Sequence, residues 1–219
     1  MTRAVKIQRI KGMSKYRIEL RGKILDVAIE EFLVNGIKTV KMDDIASKMG
    51  ISKRTMYELF TDKKTLVYQA CVKRTEEFNI KMKEYASQPG HSVMDILLEY
   101  FREKMTDNRK ISSEFYSNLH DKFPEVIEYY REVHEKDQLQ TREFITRGIE
   151  DGYFRNDIDY DVLTHLIDIT MLNVMNQKLY HSLSINSIIR NYLVVIIQGF
   201  CTSKGFDEMN KIVSKLDEL

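Results

Sequence analysis

Hydrogen-bond donors of the kind that hold phosphate and read base edges cluster in one short part of the sequence. The cluster consists of Lys53, Arg54, Thr55, Tyr57, Lys63 and Lys64. Ammonium and guanidinium groups form charge-assisted hydrogen bonds to phosphate, and Arg, Lys and Thr side chains also recognise base edges in the major groove of DNA. These residue types at this spacing favour nucleic-acid binding.

Two short helices around a glycine are predicted to present this cluster. The first covers residues 42–49, and Ser52 is a good N-cap for the second, which begins at Lys53 and ends at about Phe60. The apolar face of the second helix consists of Met56, Leu59 and Phe60, and its opposite face of Lys53, Arg54, Tyr57 and Glu58. Two helices joined by three or four residues that include glycine are typical of a helix-turn-helix motif, here over about residues 41–60.

A longer helix is predicted in front of the motif, from about Tyr16 to Asn35. Its apolar stripe consists of Ile24, Leu25, Ala28, Ile29 and Phe32. The pair Asn35-Gly36 also fits a hairpin turn. The stripe before it has helical and not alternating spacing, so the interpretation of Gly36 as the end of a helix is favoured.

The segment from residue 23 to residue 67 resembles the N-terminal domain of TetR-family transcriptional regulators. The matching elements are Phe32 and Gly36, Thr39-Val40, Asp44-Ile45-Ala46, Gly50-Ile51-Ser52, Tyr57, Phe60, Lys63, Lys64 and Leu66. The resemblance implies a sequence-specific DNA-binding dimer, usually a repressor that a small-molecule effector releases. It also implies a helical C-terminal domain for dimerisation and ligand binding.

The resemblance also implies roles for single residues. Lys53, Arg54 and Thr55 would face bases or phosphates, whereas Tyr57 and Lys64 would hold phosphates. Apart from the resemblance, the position of Lys63 and Lys64 at the N-terminus of the next helix suits a phosphate. Lys41 stands where the family often has a Ser or Thr cap, so either the cap is missing or Lys41 itself reaches a phosphate. Glu58 also departs from the pattern, and its carboxylate would either accept from a cytosine or orient Arg54.

The net charge of +1 hides an uneven distribution. Residues 1–64 hold 15 Lys and Arg against 8 Asp and Glu, whereas residues 65–219 hold 19 against 25. A basic head on an acidic body is the electrostatic pattern of a domain that contacts phosphate. The bases of the N-terminal tail (Arg3, Lys6, Arg9 and Lys11) form either a solvated arm or an arm that contacts DNA.

Helical spacing continues through the rest of the chain and predicts an all-α protein. The further helices are predicted at about residues 63–87, 92–106, 113–122, 124–151, 159–181, 184–203 and 206–216, with Gly205 separating the last two. We predict two domains, a DNA-binding domain over residues 1–64 and a helical ligand-binding and dimerisation domain over residues 65–219.

The two helices predicted at residues 159–181 and 184–203 are apolar on nearly every side. Such a helix must bury more than one face, so a two-fold homodimer interface is favoured over a large core within one chain. A two-fold dimer places two recognition helices about one turn of DNA apart, roughly 34–36 Å, and thus fits a palindromic operator in double-stranded DNA.

Aromatic and methionine side chains are dense in the middle helices and indicate a pocket for an unidentified effector. The candidates are Phe78, Met82, Phe101, Met105, Tyr116, His120, Tyr130, Met171 and Met175. Residues of these types at helical spacing also form ordinary cores, and this alternative stays open. No cofactor is predicted. His120 and His134 lie on different helices with too few further ligands for a metal site.

Several classes of protein are disfavoured. Glycine-rich phosphate loops, GxSxG, HExxH and CxxC are absent, so an enzyme is not predicted. The longest uncharged apolar stretch, Asn191 to Ser203, has 13 residues, fewer than the roughly 20 of a membrane helix. We therefore expect a cytoplasmic protein without a membrane partner. The alternatives are a helical adaptor whose basic head contacts anionic lipid, and a DNA-binding protein of this fold controlled by a protein partner.

Overall fold

The computed structural model describes residues 14–218, which form an array of helices. The helices are α1 (Lys15–Asn35), α2 (Met42–Lys48), α3 (Lys53–Leu59), α4 (Lys63–Ala86), α5 (Val93–Asn108), α6 (Ser113–Lys122), α7 (Pro124–Glu150), α8 (Tyr160–Asn176), α9 (Ile185–Ile188), α10 (Val195–Phe200) and α11 (Ser203–Asp217). A single bridge between Phe154 and Cys201 is the one β-type pairing in this part of the chain. The all-α prediction is thus confirmed. The tail bases Arg3, Lys6, Arg9 and Lys11 lie outside the described residues.

The N-terminal helices begin and end where the sequence predicts. The Ser14 hydroxyl accepts from the backbone N–H of Arg17 at the start of α1. Gly36 ends α1 with a φ of 76°, a value that costs glycine little, and its N–H donates to the carbonyl of Phe32. The Asn35-Gly36 pair therefore ends a helix and does not form a hairpin.

One apolar core joins the first four helices to α6 and α7. Ile24 and Phe32 of α1 pack in the same buried cluster as Met56 of α3, Leu66 of α4 and Phe115 of α6. The core is thus continuous across the predicted boundary between residues 64 and 65. Helices α6 and α7 therefore pack directly against the helices of the predicted DNA-binding domain.

A second core lies toward the C-terminus and includes α5. Phe101 packs there with Phe154, Phe200 and Met209. Gly205 was predicted to separate two helices, and this is wrong, because it lies in the first turn of α11. Thr202 caps that helix, and a Cβ on Gly205 would come within 2.0 Å of the Tyr153 carbonyl oxygen, so glycine is needed for close packing.

Two of the predicted C-terminal helices are interrupted. The helix predicted to end at about His181 ends at Asn176, because Lys178 adopts a left-handed φ of 53° before a short 3-10 turn. The ammonium of Lys178 pairs with Asp121 of α6 at 2.8 Å, a tertiary contact that favours the break. A π-helical segment (Ile189–Val194) separates α9 from α10. Within residues 14–218, no helix combines the length and the apolar character needed to cross a lipid bilayer.

Candidate DNA interface and ligand cleft

Helices α2 and α3 form a helix-turn-helix around a left-handed glycine. Gly50 has a φ of 63°, and the Ser52 hydroxyl accepts from the backbone N–H of Thr55 at 3.0 Å, which caps α3. Met56 and Leu59 are buried, so the opposite face of α3 is directed to solvent. We call this face the recognition surface; it consists of Lys53, Arg54, Thr55, Tyr57 and Glu58.

The cations of the recognition surface are paired but exposed. The Lys53 ammonium lies 2.7 Å from a carboxylate oxygen of Asp43, and its side chain is 71% exposed. The Arg54 guanidinium lies 2.9 Å from Glu58 and is 89% exposed. The Asp43 carboxylate raises the pKa of Lys53 by hydrogen bonding and charge, so its ammonium is fully charged near neutral pH.

Glu58 links the recognition surface to α1. One carboxylate oxygen accepts from Arg54, and the other accepts from Arg17 at 3.1 Å. Hydrogen bonds from Arg54 and then Arg17 lower the pKa of Glu58. Its position supports the interpretation that Glu58 orients Arg54. Arg17 was not among the predicted site residues, because it lies 41 residues from Glu58 and no local spacing relates the two.

The polar residues beside these ion pairs differ in whether their side chains already have a hydrogen-bond partner. The Thr55 hydroxyl lies 2.8 Å from that of Ser52, whereas the Tyr57 side chain is half exposed. At Lys41 the backbone N–H donates to the Asp44 carboxylate at 3.0 Å, and the Lys41 side chain makes no capping hydrogen bond. Asp44 thus satisfies this end of α2 and leaves the Lys41 ammonium available.

Lys63 and Lys64 begin α4 but make different contacts. The Lys63 ammonium donates to the Lys38 carbonyl at 3.4 Å, and burial lowers its pKa. The Lys64 ammonium lies 3.4 Å from the carboxylate of Glu125 near the start of α7. The Lys64–Glu125 pair therefore joins the start of α4 to the start of α7.

A cleft of about 520 Å³ opens between α1, α4, α5 and α7. Its walls include Asp26 and Glu30 of α1, Lys73, Arg74, Phe78 and Lys81 of α4, Tyr100, Glu103, Lys104 and Asp107 of α5, and Tyr130, His134 and Asp137 of α7. The volume is in the range of pockets for small organic ligands. Most of these residues are charged or aromatic, and they come from four helices far apart in sequence.

The cleft includes only two of the nine predicted ligand residues, Phe78 and Tyr130. The structure places the other seven outside its walls: Met82, Phe101, Met105, Tyr116, His120, Met171 and Met175. Phe101 and Met105 are buried in the C-terminal core, because their helical spacing directs them away from the cleft. His120 instead contacts Asn176 at 3.3 Å. This cleft therefore brings together two of the nine predicted residues, and a ligand role for the other seven stays a prediction.

An apolar stripe runs along the outer face of α8. It consists of Val162, Leu166, Ile169 and Leu172, each about half exposed. These residues recur at intervals of four, three and three, so they share one face of the helix. Exposed apolar side chains arranged contiguously are typical of protein interfaces.

The comparisons with known proteins agree with this arrangement. A family model described as "Bacterial regulatory proteins, tetR family" matches residues 24–70, which include the whole helix-turn-helix. Residues 24–70 thus form a DNA-binding domain of the kind found in TetR-family transcriptional regulators. The chain is a DNA-binding regulator and not an enzyme. Regulators of the TetR family bind DNA and act as dimers with small-molecule effectors.

Relatives extend the similarity beyond the motif. The HTH-type transcriptional repressor KstR2 of Mycolicibacterium smegmatis is 22% identical over 191 residues, which cover 84% of this chain and 92% of that protein. An HTH-type transcriptional regulator of Staphylococcus aureus is 28% identical over 101 residues, 45% of this chain and 55% of that protein. The first match includes most of the C-terminal helices, and the second only part of them.

Solved structures of other TetR-like regulators share the fold. KstR2 of Mycobacterium tuberculosis has a TM-score of 0.52 at 19% identity and covers 88% of this chain and 98% of its own. A TetR regulator from Chloroflexus aurantiacus has a TM-score of 0.58 at 18% identity, covering 93% and 94%. A regulator from Saccharomonospora viridis, solved in complex with choline, has a TM-score of 0.54 at 21% identity, covering 80% and 97%.

Proposed function

We propose that this chain is a homodimeric TetR-family repressor that binds a palindromic operator and leaves it when a small molecule occupies the cleft. The observation that carries the proposal is the division of α3 into two faces. Met56 and Leu59 fix the helix on the core, whereas Lys53, Arg54 and Tyr57 are directed to solvent. A protein that acts on chromosomal DNA in a bacterium works in the cytoplasm.

The proposal gives the exposed residues separate roles. Arg54, whose side chain is 89% exposed, is expected to contact a base edge, and Lys53 and Thr55 are expected to contact neighbouring bases or phosphates. The phosphate contacts are assigned to Lys41, Tyr57, Lys63 and Lys64. An exposed ion pair contributes little to stability, so exchanging its carboxylate for a phosphate oxygen costs little.

The apolar stripe on α8 supports dimerisation. Replacing water by a second copy of Val162, Leu166, Ile169 and Leu172 would bury four large side chains from each protomer around a two-fold axis. Residues 65–219, which carry this stripe, form the dimerising and sensing domain in the proposal. Residues 1–64 form the DNA-binding domain.

The cleft supports the assignment of an effector site. It lies beside α1, and α1 also holds the recognition surface through Arg17 and Glu58. A ligand changes DNA affinity only if it binds the DNA-competent and incompetent arrangements with different affinity. A cleft with one wall on the DNA-binding domain meets this condition when the position of α1 differs between the two arrangements.

The DNA-binding proposal is tested with an operator selected from random double-stranded sequences. Arg54→Ala is expected to lower affinity for the selected palindrome by about 5–150-fold, the value of a bidentate base contact. The matched control is Arg102→Ala, because Arg102 is also exposed and paired but lies on α5. Equal weakening of Arg54→Ala on the operator, on random DNA and on anionic vesicles would contradict base recognition and favour a membrane-surface adaptor.

Dimerisation is tested by light scattering at micromolar concentration. Ile169→Glu introduces a charge in the middle of the stripe, so the dimer is expected to dissociate. Ile80→Glu is the matched control, since Ile80 is an equally exposed isoleucine on α4. A monomeric unaltered protein, or a dimer that Ile169→Glu leaves intact, would contradict this interface.

A further inference from the structure

The cations of the cleft are neutralised by carboxylates with one exception. Arg74 pairs with Asp107 at 2.8 Å, and Lys81 pairs with Glu103 at 2.7 Å. Lys73 pairs with both Asp26 and Glu77. Lys104 is different, since within residues 14–218 its ammonium forms no ion pair or hydrogen bond and lies over two aromatic rings. The Asp107 carboxylate, which pairs with Arg74, attracts the Lys104 charge without forming an ion pair with it.

The surroundings of Lys104 make an unpaired ammonium costly. The side chain is partly buried, and its nitrogen lies 3.7 Å from the centroid of Phe78 and 5.8 Å from that of Tyr100. Burial, followed by the positive charge of Arg74, lowers its pKa to about 8. Ring faces attract the charge but accept none of its three N–H donors in a conventional hydrogen bond.

We propose that the cleft binds a small organic monocarboxylate whose carboxylate group forms an ion pair with Lys104. The proposal rests on the assignment of the cleft as the effector site and names the class of its ligand. An incoming carboxylate supplies both the missing negative charge and the missing hydrogen-bond acceptor. Because the ammonium is already partly removed from water, pairing costs it little further hydration.

The other charges of the cleft favour one negative charge on the ligand and not two. Arg74 already has Asp107 as its counter-ion, so a second anionic group finds no free cation beside Lys104. Asp26, Glu30 and Asp137 lie on the remaining walls and repel additional negative charge. A phosphate dianion therefore fits the cleft poorly.

The uncharged part of the walls indicates the body of the ligand. Phe78, Tyr100 and Tyr130 present ring surface, and Leu25, Ile29 and Val133 present aliphatic surface. An aryl or aliphatic chain that extends from the carboxylate would cover these side chains. The expected ligand is therefore an amphipathic acid with one carboxylate and an apolar body.

The same ligand would contact the DNA-binding half of the molecule. Leu25 and Ile29 belong to α1, and Arg17 in the first turn of this helix bonds Glu58 on α3. A ligand body between α1 and α4 is thus one helix away from Arg54. This arrangement provides the route by which occupancy of the cleft changes the placement of the recognition surface.

The inference is tested by direct binding to the full chain without DNA. The probes are 4-phenylbutyrate and decanoate, each compared with its primary amide and its amine by titration calorimetry at pH 7. We expect both carboxylates to bind and their amides and amines to bind at least about tenfold more weakly, as for loss of a charge-assisted hydrogen bond.

Two variants separate Lys104 from the overall charge of the protein. Lys104→Met keeps a chain of similar length and is expected to lose at least about tenfold in carboxylate affinity. Lys83→Met removes an exposed cation of α4 that lies outside the cleft, and it should change affinity less than about twofold. Circular dichroism verifies that both variants fold. Equal binding of acid and amide, unchanged binding by Lys104→Met, or no binding of either carboxylate to the unaltered chain overturns the inference.

A second measurement distinguishes failure of this inference from failure of the proposed function. The carboxylates are added to the complex with the selected operator, and release is followed by fluorescence anisotropy. If the carboxylates release the unaltered protein from the operator but do not release Lys104→Met, both the ligand class and the proposed repressor function are supported. Carboxylate binding at Lys104 without release upholds the site and overturns its role as the effector site, whereas absence of operator binding overturns the repressor alone.

Discussion

The recognition surface and the cleft both carry basic side chains, but they differ in how the charge is balanced. On the recognition surface, Lys53 and Arg54 each have a carboxylate partner and are mostly exposed. In the cleft, Lys104 is partly buried and rests on the rings of Phe78 and Tyr100. The cations of the recognition surface therefore form exposed ion pairs whose carboxylates a phosphate can replace, whereas Lys104 in the cleft has no ion-pair partner.

Under the proposed function, this difference would let one protein bind both a polymer and a small molecule through cationic side chains. Exposed pairs are screened by water and salt, so each contributes little and many must act together. A single ammonium removed from water gains more from one counter-ion because the local dielectric is lower. Binding at the recognition surface should depend on the number of charges, and binding in the cleft on a single charge.

Salt should separate the two regions most strongly. If six phosphates are neutralised per bound unit, the logarithm of DNA affinity falls with the logarithm of salt with a slope of roughly −5. Raising salt from about 50 to about 200 mM then lowers DNA affinity by about a thousandfold. Carboxylate binding in the cleft should fall less than about threefold over this range, because it involves one partly buried charge.

Anisotropy with the operator and calorimetry with 4-phenylbutyrate measure the two slopes in the same buffers. In the anisotropy series alone, sodium chloride is replaced by sodium glutamate as a control, which distinguishes release of counterions from competition by chloride. Glutamate is kept out of the calorimetry because it is itself a carboxylate. Similar slopes for the two ligands would show that the cleft binds its anion at an exposed site, and would remove the contrast.

Stability should distinguish the two regions next. Lys104 has a pKa lowered from 10.5 to about 8 by burial, so its protonated form destabilises the fold. At pH 7, Lys104→Met is therefore expected to raise the free energy of unfolding by about 1–3 kcal/mol. The cost of burying the charged Lys104 acts in full on the wild type below about pH 8 and disappears as pH rises toward 10.5. The free energies of unfolding of the wild type and of Lys104→Met should therefore converge over that interval.

Lys53→Met is the comparison on the recognition surface. Its ammonium is exposed and paired, so we expect almost no change in the free energy of unfolding at pH 7. Urea denaturation of the three proteins between pH 7 and 10 gives the differences, in which the other titrating groups cancel. A Lys104→Met variant less stable than the wild type at pH 7 would show that the ring contacts outweigh the cost of burial.

The recognition surface was predictable from the sequence because its signals are local. Ser52 caps α3 within three residues, and the spacing of Met56 and Leu59 determines which face is buried. The family comparison then confirmed the type of protein and its all-α fold. The roles of single residues such as Arg54 stay predictions.

The cleft was not predictable in the same way. Its ion pairs join residues far apart in sequence, such as Lys73 of α4 with Asp26 of α1. Apolar spacing selected Phe101 and Met105, which belong to the core, because periodicity identifies a buried face but does not distinguish a core from a pocket. Charged wall residues such as Lys104 looked like ordinary surface positions.

Tertiary contacts also explain the errors in helix boundaries. Gly205 resembles a helix breaker, but its missing Cβ allows the Tyr153 carbonyl to approach the first turn of α11. Lys178 shows no breaker signal, and its left-handed conformation coincides with an ion pair to Asp121 on another helix. In both cases the decisive partner lies more than 50 residues away.

The smallest expected effect concerns Glu58, which balances the charge of Arg54 and Arg17. Glu58→Gln removes a negative charge from the recognition surface, so affinity for random DNA is expected to rise about two- to fivefold. Operator affinity should rise less, because the amide orients Arg54 less firmly than a carboxylate. The ratio of specific to random binding therefore falls, as anisotropy on the two DNAs would measure.

Glu76→Gln is the matched control, since Glu76 is an exposed glutamate on α4 outside the recognition surface. It should leave both affinities unchanged if the effect arises locally and not from net charge. A Glu58→Gln variant with weaker binding to both DNAs would show that the carboxylate itself accepts a hydrogen bond from the operator, as from a cytosine amino group. In that case Glu58 would contact a base directly. It would not serve only as the ion-pair partner of Arg54 in the protein without DNA.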